Sequence, residues 1–164
     1  MITPHWIVCE RSSRWAAALR TALARQSPQD AAATSLDEVR NLTDFTARLH
    51  EFPSSLVLLE VTIKNFDATL AWLADAILRS PHAKAVALLD HGFCAHQAEV
   101  ATALREAGAS EVIVSPRQLQ PVLSLGRHFA SKNRGAAHTI AVDQSIEKWA
   151  WDLLPWQDAW RPLG

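Results

Sequence analysis

Glu60 closes an apolar run, Leu56-Val57-Leu58-Leu59, that follows the turn residues Pro53-Ser54-Ser55. A short continuous apolar run of this kind reads as a strand buried on both faces. Open α/β sheets place their chemistry at the carboxyl ends of such strands. Glu10, after the apolar stretch His5 to Cys9, and Asp90, after Ala85 to Leu89, hold corresponding places. Carboxylates there could supply a nucleophile or hold a divalent cation. If the acids converge, like-charge repulsion should raise at least one pKa, with Arg11 and Lys64 the nearest counter-ions. The plainer expectation is three solvated acids at strand ends. His91-Gly92-Phe93-Cys94-Ala95-His96 offers transition-metal ligands, but its spacing matches no zinc pattern and no fourth ligand lies nearby. It reads as a polar loop. Nothing in the sequence sets a histidine beside Cys9 or Cys94, so neither thiol is assigned a catalytic role.

The elements that must carry these residues alternate between strand and helix. His5 to Cys9 is a strand, and Glu10-Arg11-Ser12-Ser13 after it can cap a helix whose stripe is Trp15, Ala18, Leu19, Ala22 and Leu23. Ala31 to Thr34 reads as a weak second strand at a sheet edge. Ser35 with Glu38 has the spacing of a capping box, opening a helix over Val39, Leu42, Phe45, Leu49 and Phe52. Phe66, Leu70, Leu73 and Ile77 mark a third helix, ended before Pro81. Ala85 to Leu89 is a fourth strand, and Val100, Ala101, Leu104 and Ala107 a helix stopped by Gly108. Val112 to Val114 is a fifth strand, followed by a helix over Leu119, Val122, Leu123 and Phe129. Five strands alternating with five helices imply a parallel sheet with right-handed crossovers and helices on both faces. No glycine-rich loop follows any strand, which argues against a dinucleotide-binding Rossmann domain.

Two segments carry a family resemblance: Ser54-Ser55-Leu56-Val57-Leu58-Leu59-Glu60-Val61-Thr62, and Glu106-Ala107-Gly108-Ala109-Ser110-Glu111-Val112-Ile113-Val114-Ser115-Pro116. Together they resemble the receiver domains of two-component response regulators over roughly residues 3 to 131. The resemblance implies a flavodoxin-like three-layer α/β/α fold with five parallel strands in the order 2-1-3-4-5. It also implies a phospho-acceptor site whose positions have all changed. The acceptor aspartate is Glu60, and the acidic pair that helps hold Mg²⁺ is Cys9-Glu10. The hydroxyl residue closing the fourth strand is Asp90, and the phosphate-holding lysine is Ser115. Glu60 sets its oxygens one methylene further out, and errors near an ångström are costly in such sites. Asp90 would repel a phosphoryl group, and Ser115 has no charge to hold one. The four residues read as a degenerate phospho-acceptor site with no catalytic residue, metal or cofactor.

Composition agrees with a globular module. The chain has 164 residues, of which 49% are hydrophobic and 20% charged, suiting one receiver-like domain over 1–131 with a linker and extension over 132–164. A net charge of −1 gives no electrostatic case for nucleic acid or an anionic membrane surface. Two cysteines make a disulfide framework improbable. With no long apolar run and no signal-peptide pattern, a cytoplasmic location is expected.

Four of the seven tryptophans, at 149, 151, 156 and 160, fall in the last sixteen residues. Asp143 can cap a short helix that shows Ile146, Trp149, Ala150, Leu153 and Leu154 on one face before Pro155 stops it. Trp151 lies off that stripe, so the segment is apolar on more than one side and calls for a covering surface. Trp149, Trp151, Leu153, Trp156 and Trp160 are therefore the expected partner-binding residues, packing on their own domain, on a second copy in a homodimer, or on another protein. The combined expectation is a phosphorylation-independent pseudo-receiver acting through protein–protein contacts in signalling, not an enzyme. A small α/β enzyme with a pocket at the strand ends and a working receiver despite its substitutions are the alternatives.

Overall fold

A computed structural model of the chain describes residues 5–26 and 34–139, with side chains to residue 129 apart from Ile77. The sheet has five parallel strands in the order β2-β1-β3-β4-β5: β1 His5–Cys9, β2 Ser35–Val39, β3 Leu56–Val61, β4 Lys84–Leu89 and β5 Ala109–Ile113. Between and after them run α1 Arg14–Gln26, α2 Leu42–Glu51, α3 Phe66–Arg79, α4 Gln97–Glu106 and α5 Gln120–Thr139. This is the flavodoxin-like three-layer arrangement expected from the resemblance.

The unbroken apolar run of β3 is explained by cover on both faces. Leu56 and Leu58 join Trp6, Val8, Trp15, Leu19, Val122 and Leu123 under α1 and α5. Val57, Leu59 and Val61 point the other way and pack with Phe45, Leu49, Leu73 and Leu104 under α2, α3 and α4. Alternate side chains of a strand face opposite layers, so a central strand between two helical layers must be apolar at every position. Gly126 on α5 lies so close to Trp6 that a Cβ there would stand 2.2 Å from the ring. Glycine is what lets this helix settle onto β1.

The second strand differs from the sequence expectation. It occupies Ser35–Val39, where the capping box was expected, and pairs in register with β1 from His5 opposite Ser35 to Cys9 opposite Val39. Thr34 lies outside it, and residues 31–33 are not among those described. As an edge strand it needs only one apolar residue for each layer. Leu36 packs against one core and Val39 against the other. So short an alternation carries little strand signal, and pairing with β1 decides the matter. The cap of α2 is Asn41, whose side chain accepts from Asp44 N at 2.8 Å and donates to Asp44 Oδ2 at 2.8 Å. At the other end of the chain, α5 continues through residue 131 to Thr139. Residues 132–139 of the expected linker are thus helical, and the rest of the extension, with Trp149, Trp151, Leu153, Trp156 and Trp160, lies outside the described residues.

Candidate functional site

Parallel pairing sets the carboxyl ends of β1 and β3 side by side, with Cys9 opposite Leu59. Glu10 and Glu60 follow at the point where the crossovers leave β1 and β3 in opposite directions. Such a switch point opens a crevice in doubly wound sheets. Here it is a cleft of about 240 Å³ whose walls include Cys9, Glu10, Leu59, Glu60, Thr62 and Thr69. Arg11 and Arg40 lie at its rim.

Glu10 does not behave as a solvated acid. It is buried, with 2% exposure. Its two oxygens accept from Trp15 N at 2.8 Å and Ala16 N at 2.6 Å. These amides belong to the first turn of α1, which has no intrahelical acceptors for them, and a carboxylate there also meets the positive end of the helix dipole. Glu10, expected as part of a degenerate site or as a solvated acid, is thus the cap of α1. The nearer candidate, Ser13, sits at φ 57° in the left-handed region and hydrogen-bonds Glu38 instead. Arg40 joins these groups, donating to Ser13 Oγ at 2.6 Å and to the Glu10 carbonyl at 3.2 Å, and pairing with Glu38 at 2.6 Å. The Ser13 hydroxyl, followed by the two arginines Arg40 and Arg20, holds the Glu38 carboxyl below the ordinary carboxylate range.

Glu60 is half-buried at the end of β3, and its Oε2 accepts from Arg11 N at 3.0 Å. Its carbonyl accepts from Asn65 Nδ2 at 2.9 Å, while Asn65 Oδ1 takes the Thr62 N–H at 2.7 Å. The loop after β3 is therefore tied shut. Cys9 beneath it has its thiol pushed up to about 11 by burial, then by the Glu60 charge, against a smaller opposing effect of Arg11. At neutral pH it is a protonated thiol, not a ligand or nucleophile.

Asp90 and Ser115 do not line the cleft. Asp90 pairs with His91 Nδ1 at 2.7 Å and with Arg14 at 3.6 Å. Partial burial acts to raise its pKa, but the His91 backbone and ring, with Arg14, outweigh that and lower it. For Asp90 the shift is opposite to that expected from converging acids, because its neighbours are cationic or hydrogen-bond donors. Ser115 caps the short 3-10 turn Pro116–Gln118, accepting from Arg117 N at 3.3 Å. Sequence reasoning missed Arg40 and Thr69. Arg40 stood inside an expected helix, and Thr69 in the wet interval of α3; only the folded cleft brings them to β1 and β3.

A hard cation at this switch point needs carboxylate oxygens free to face it. Both Glu10 oxygens already take backbone amides, Glu60 takes one, and Cys9 stays protonated, so the residues present do not fit a Mg²⁺ site. Among the described residues no three His, Cys, Asp or Glu side chains are grouped to hold a metal.

No family model matches the chain, and no curated protein matches it. Solved structures do. A CheY-like protein (tadZ) of Pseudomonas aeruginosa PAO1 aligns with a TM-score of 0.57 at 16% identity, covering 78% of this chain and 94% of that one. A response regulator of Thermotoga maritima aligns with a TM-score of 0.58 at 18% identity, covering 79% and 99%. The chain has the fold of CheY-like response regulators.

Proposed function

We propose that the chain is a phosphorylation-independent pseudo-receiver, a protein-interaction module of signal transduction and not an enzyme. One observation carries the reading: Glu10, at the place of the receiver's metal-binding acid, is buried with both oxygens bound to Trp15 N and Ala16 N. Freeing it for Mg²⁺ would uncap α1. The other positions agree, with Glu60 fastened to Arg11 N, Asp90 set against Arg14 and His91, and Ser115 in the lysine's place. The likeness in fold to response regulators supports a role in signalling. Cytoplasmic location fits that role, and among the described residues no helix is long and apolar enough to cross a membrane. The test is incubation of the purified protein with acetyl phosphate and Mg²⁺, followed by mass spectrometry. The mass should not change; a stable increase of one phosphoryl group mapping to Glu60 would establish a working receiver instead.

Partner contact is assigned to the tail. Each buried tryptophan removes on the order of 150–250 Å² from water, so Trp149, Trp151, Trp156 and Trp160 with Leu153 would offer a surface suited to another protein or to a second copy. A homodimer is the assembly favoured by that surface, since two-fold closure is the commonest solution. Light scattering of the full chain and of a chain ending at residue 138 decides it. The longer chain should be dimeric at micromolar concentration and the shorter one monomeric, while a monomeric full chain would leave the tail packed on its own domain.

A further inference from the structure

The cleft holds groups that the pseudo-receiver reading does not use. Thr69 is 1% exposed and lines the cleft, yet its hydroxyl has no hydrogen-bond partner. Buried hydroxyls are ordinarily paired, so this one is unfinished. Glu60 also lines the cleft with only Oε2 engaged, by Arg11 N. At the rim Arg40 is pinned by Glu10, Ser13 and Glu38, whereas the exposed Arg11 guanidinium has no ion-pair partner among the described residues. Exposure rises from Thr69 through half-buried Glu60 to exposed Arg11. The Cys9 thiol on the inner wall feels Glu60, Asp44 and Glu10, with Arg11 the one opposing cation. Of the two groups left to face a ligand, the negative Glu60 is half-buried and the positive Arg11 is exposed.

We propose that the switch-point cleft binds a small zwitterion, a free α-amino acid, with its ammonium group inward on Glu60 and Thr69 and its carboxylate outward on Arg11. Size agrees with this: about 240 Å³ is below the range of about 300–1,000 Å³ usual for drug-sized ligands. An ammonium can give one proton to Glu60 and another to the Thr69 oxygen. The Arg11 fork is suited to a carboxylate, which it can hold through two parallel hydrogen bonds. A metal cation would leave Arg11 repelled, and a phosphate would face the Glu60 charge. This inference goes beyond the interaction role and gives such a module a small-molecule input.

The experiment is calorimetric titration of the full-length chain at neutral pH and fixed ionic strength with L-alanine, L-serine and L-glutamine. Ethylamine and propionate serve as probes bearing only one of the two charges. At least one amino acid should bind saturably at one per chain and raise the thermal midpoint, with ethylamine and propionate weaker by about tenfold or more. Glu60→Gln and Arg11→Gln should each weaken binding by about tenfold, and Thr69→Val by several-fold, with unchanged far-UV circular dichroism. Absence of saturable binding up to roughly 10 mM, weaker than ordinary millimolar affinities, would overturn the proposal. So would ethylamine binding as tightly as L-alanine, or unchanged affinity in a folded Glu60→Gln variant. None of these outcomes bears on the acetyl phosphate result.

Discussion

The carboxylate of Glu10 and the backbone amide of Trp15 stand 2.8 Å apart in the interior of the protein. With Ala16 N on the second oxygen at 2.6 Å, this side chain closes the amino terminus of α1 from four residues before the helix begins. An acid at the carboxyl end of β1 is part of the backbone's hydrogen-bond system.

Replacing Glu10 by alanine should destabilise the fold by about 2–3 kcal/mol, because two buried amides lose a charged acceptor. Glutamine, with a single acceptor oxygen, should fall between. The measurement is the urea midpoint at constant m value. A loss below about 0.5 kcal/mol would mean that the amides find another acceptor and that the cap contributes little.

The two cysteines should differ sharply in reactivity. Cys9 is buried with its thiol raised to about 11, so at pH 8 only about a thousandth of it is thiolate. Cys94 is exposed. A thiol reagent should label Cys94 within minutes and Cys9 only after unfolding, as followed by mass spectrometry. Equal labelling of both in the native protein would contradict the burial of Cys9.

Acid should weaken the fold through Glu38. Its folded pKa is lowered from an ordinary value of 4.5, so the unfolded chain takes up the proton first as pH falls. The stabilisation is complete above that ordinary value and is lost as pH drops through the folded pKa. Asp90, lowered from 3.8, adds a loss of the same sign at lower pH. The urea midpoint should hold steady near neutrality and decline below about pH 4.5. A Glu38→Gln variant should be less stable at neutral pH and show a flatter decline, and an unchanged slope would remove Glu38 from this account.

Gly126→Ala should cost about 1–3 kcal/mol, the usual penalty of forcing volume into a packed core. The added methyl meets the Trp6 ring at 2.2 Å, and Trp6 is itself buried at 3% exposure. A Trp6→Phe change in the same chain should recover part of that loss. Thermal unfolding of the two single variants and the double variant gives the coupling.

The apolar run of β3 and the helical stripes of α1, α3 and α4 were legible because each element's burial is written in its own period of 2 or 3.6 residues. So was the strand order, once Leu56 to Thr62 and Glu106 to Pro116 had suggested a receiver. β2 was not legible as a strand: Ser35 to Glu38 has a helix cap's spacing, and only a partner, β1, makes Ser35–Val39 a strand. Residue identity placed Glu10, Glu60, Asp90 and Ser115 at the carboxyl ends of strands. Where their side chains turn was decided by what surrounds them. Glu10 turns inward because the first amides of α1 need an acceptor. Asp90 meets Arg14 from α1, and Arg40 and Thr69 reach the cleft from separate elements. A local sequence pattern records which face of an element is covered, whereas hydrogen bonds and charges between residues 25 or 49 positions apart exist only after the sheet has brought them together.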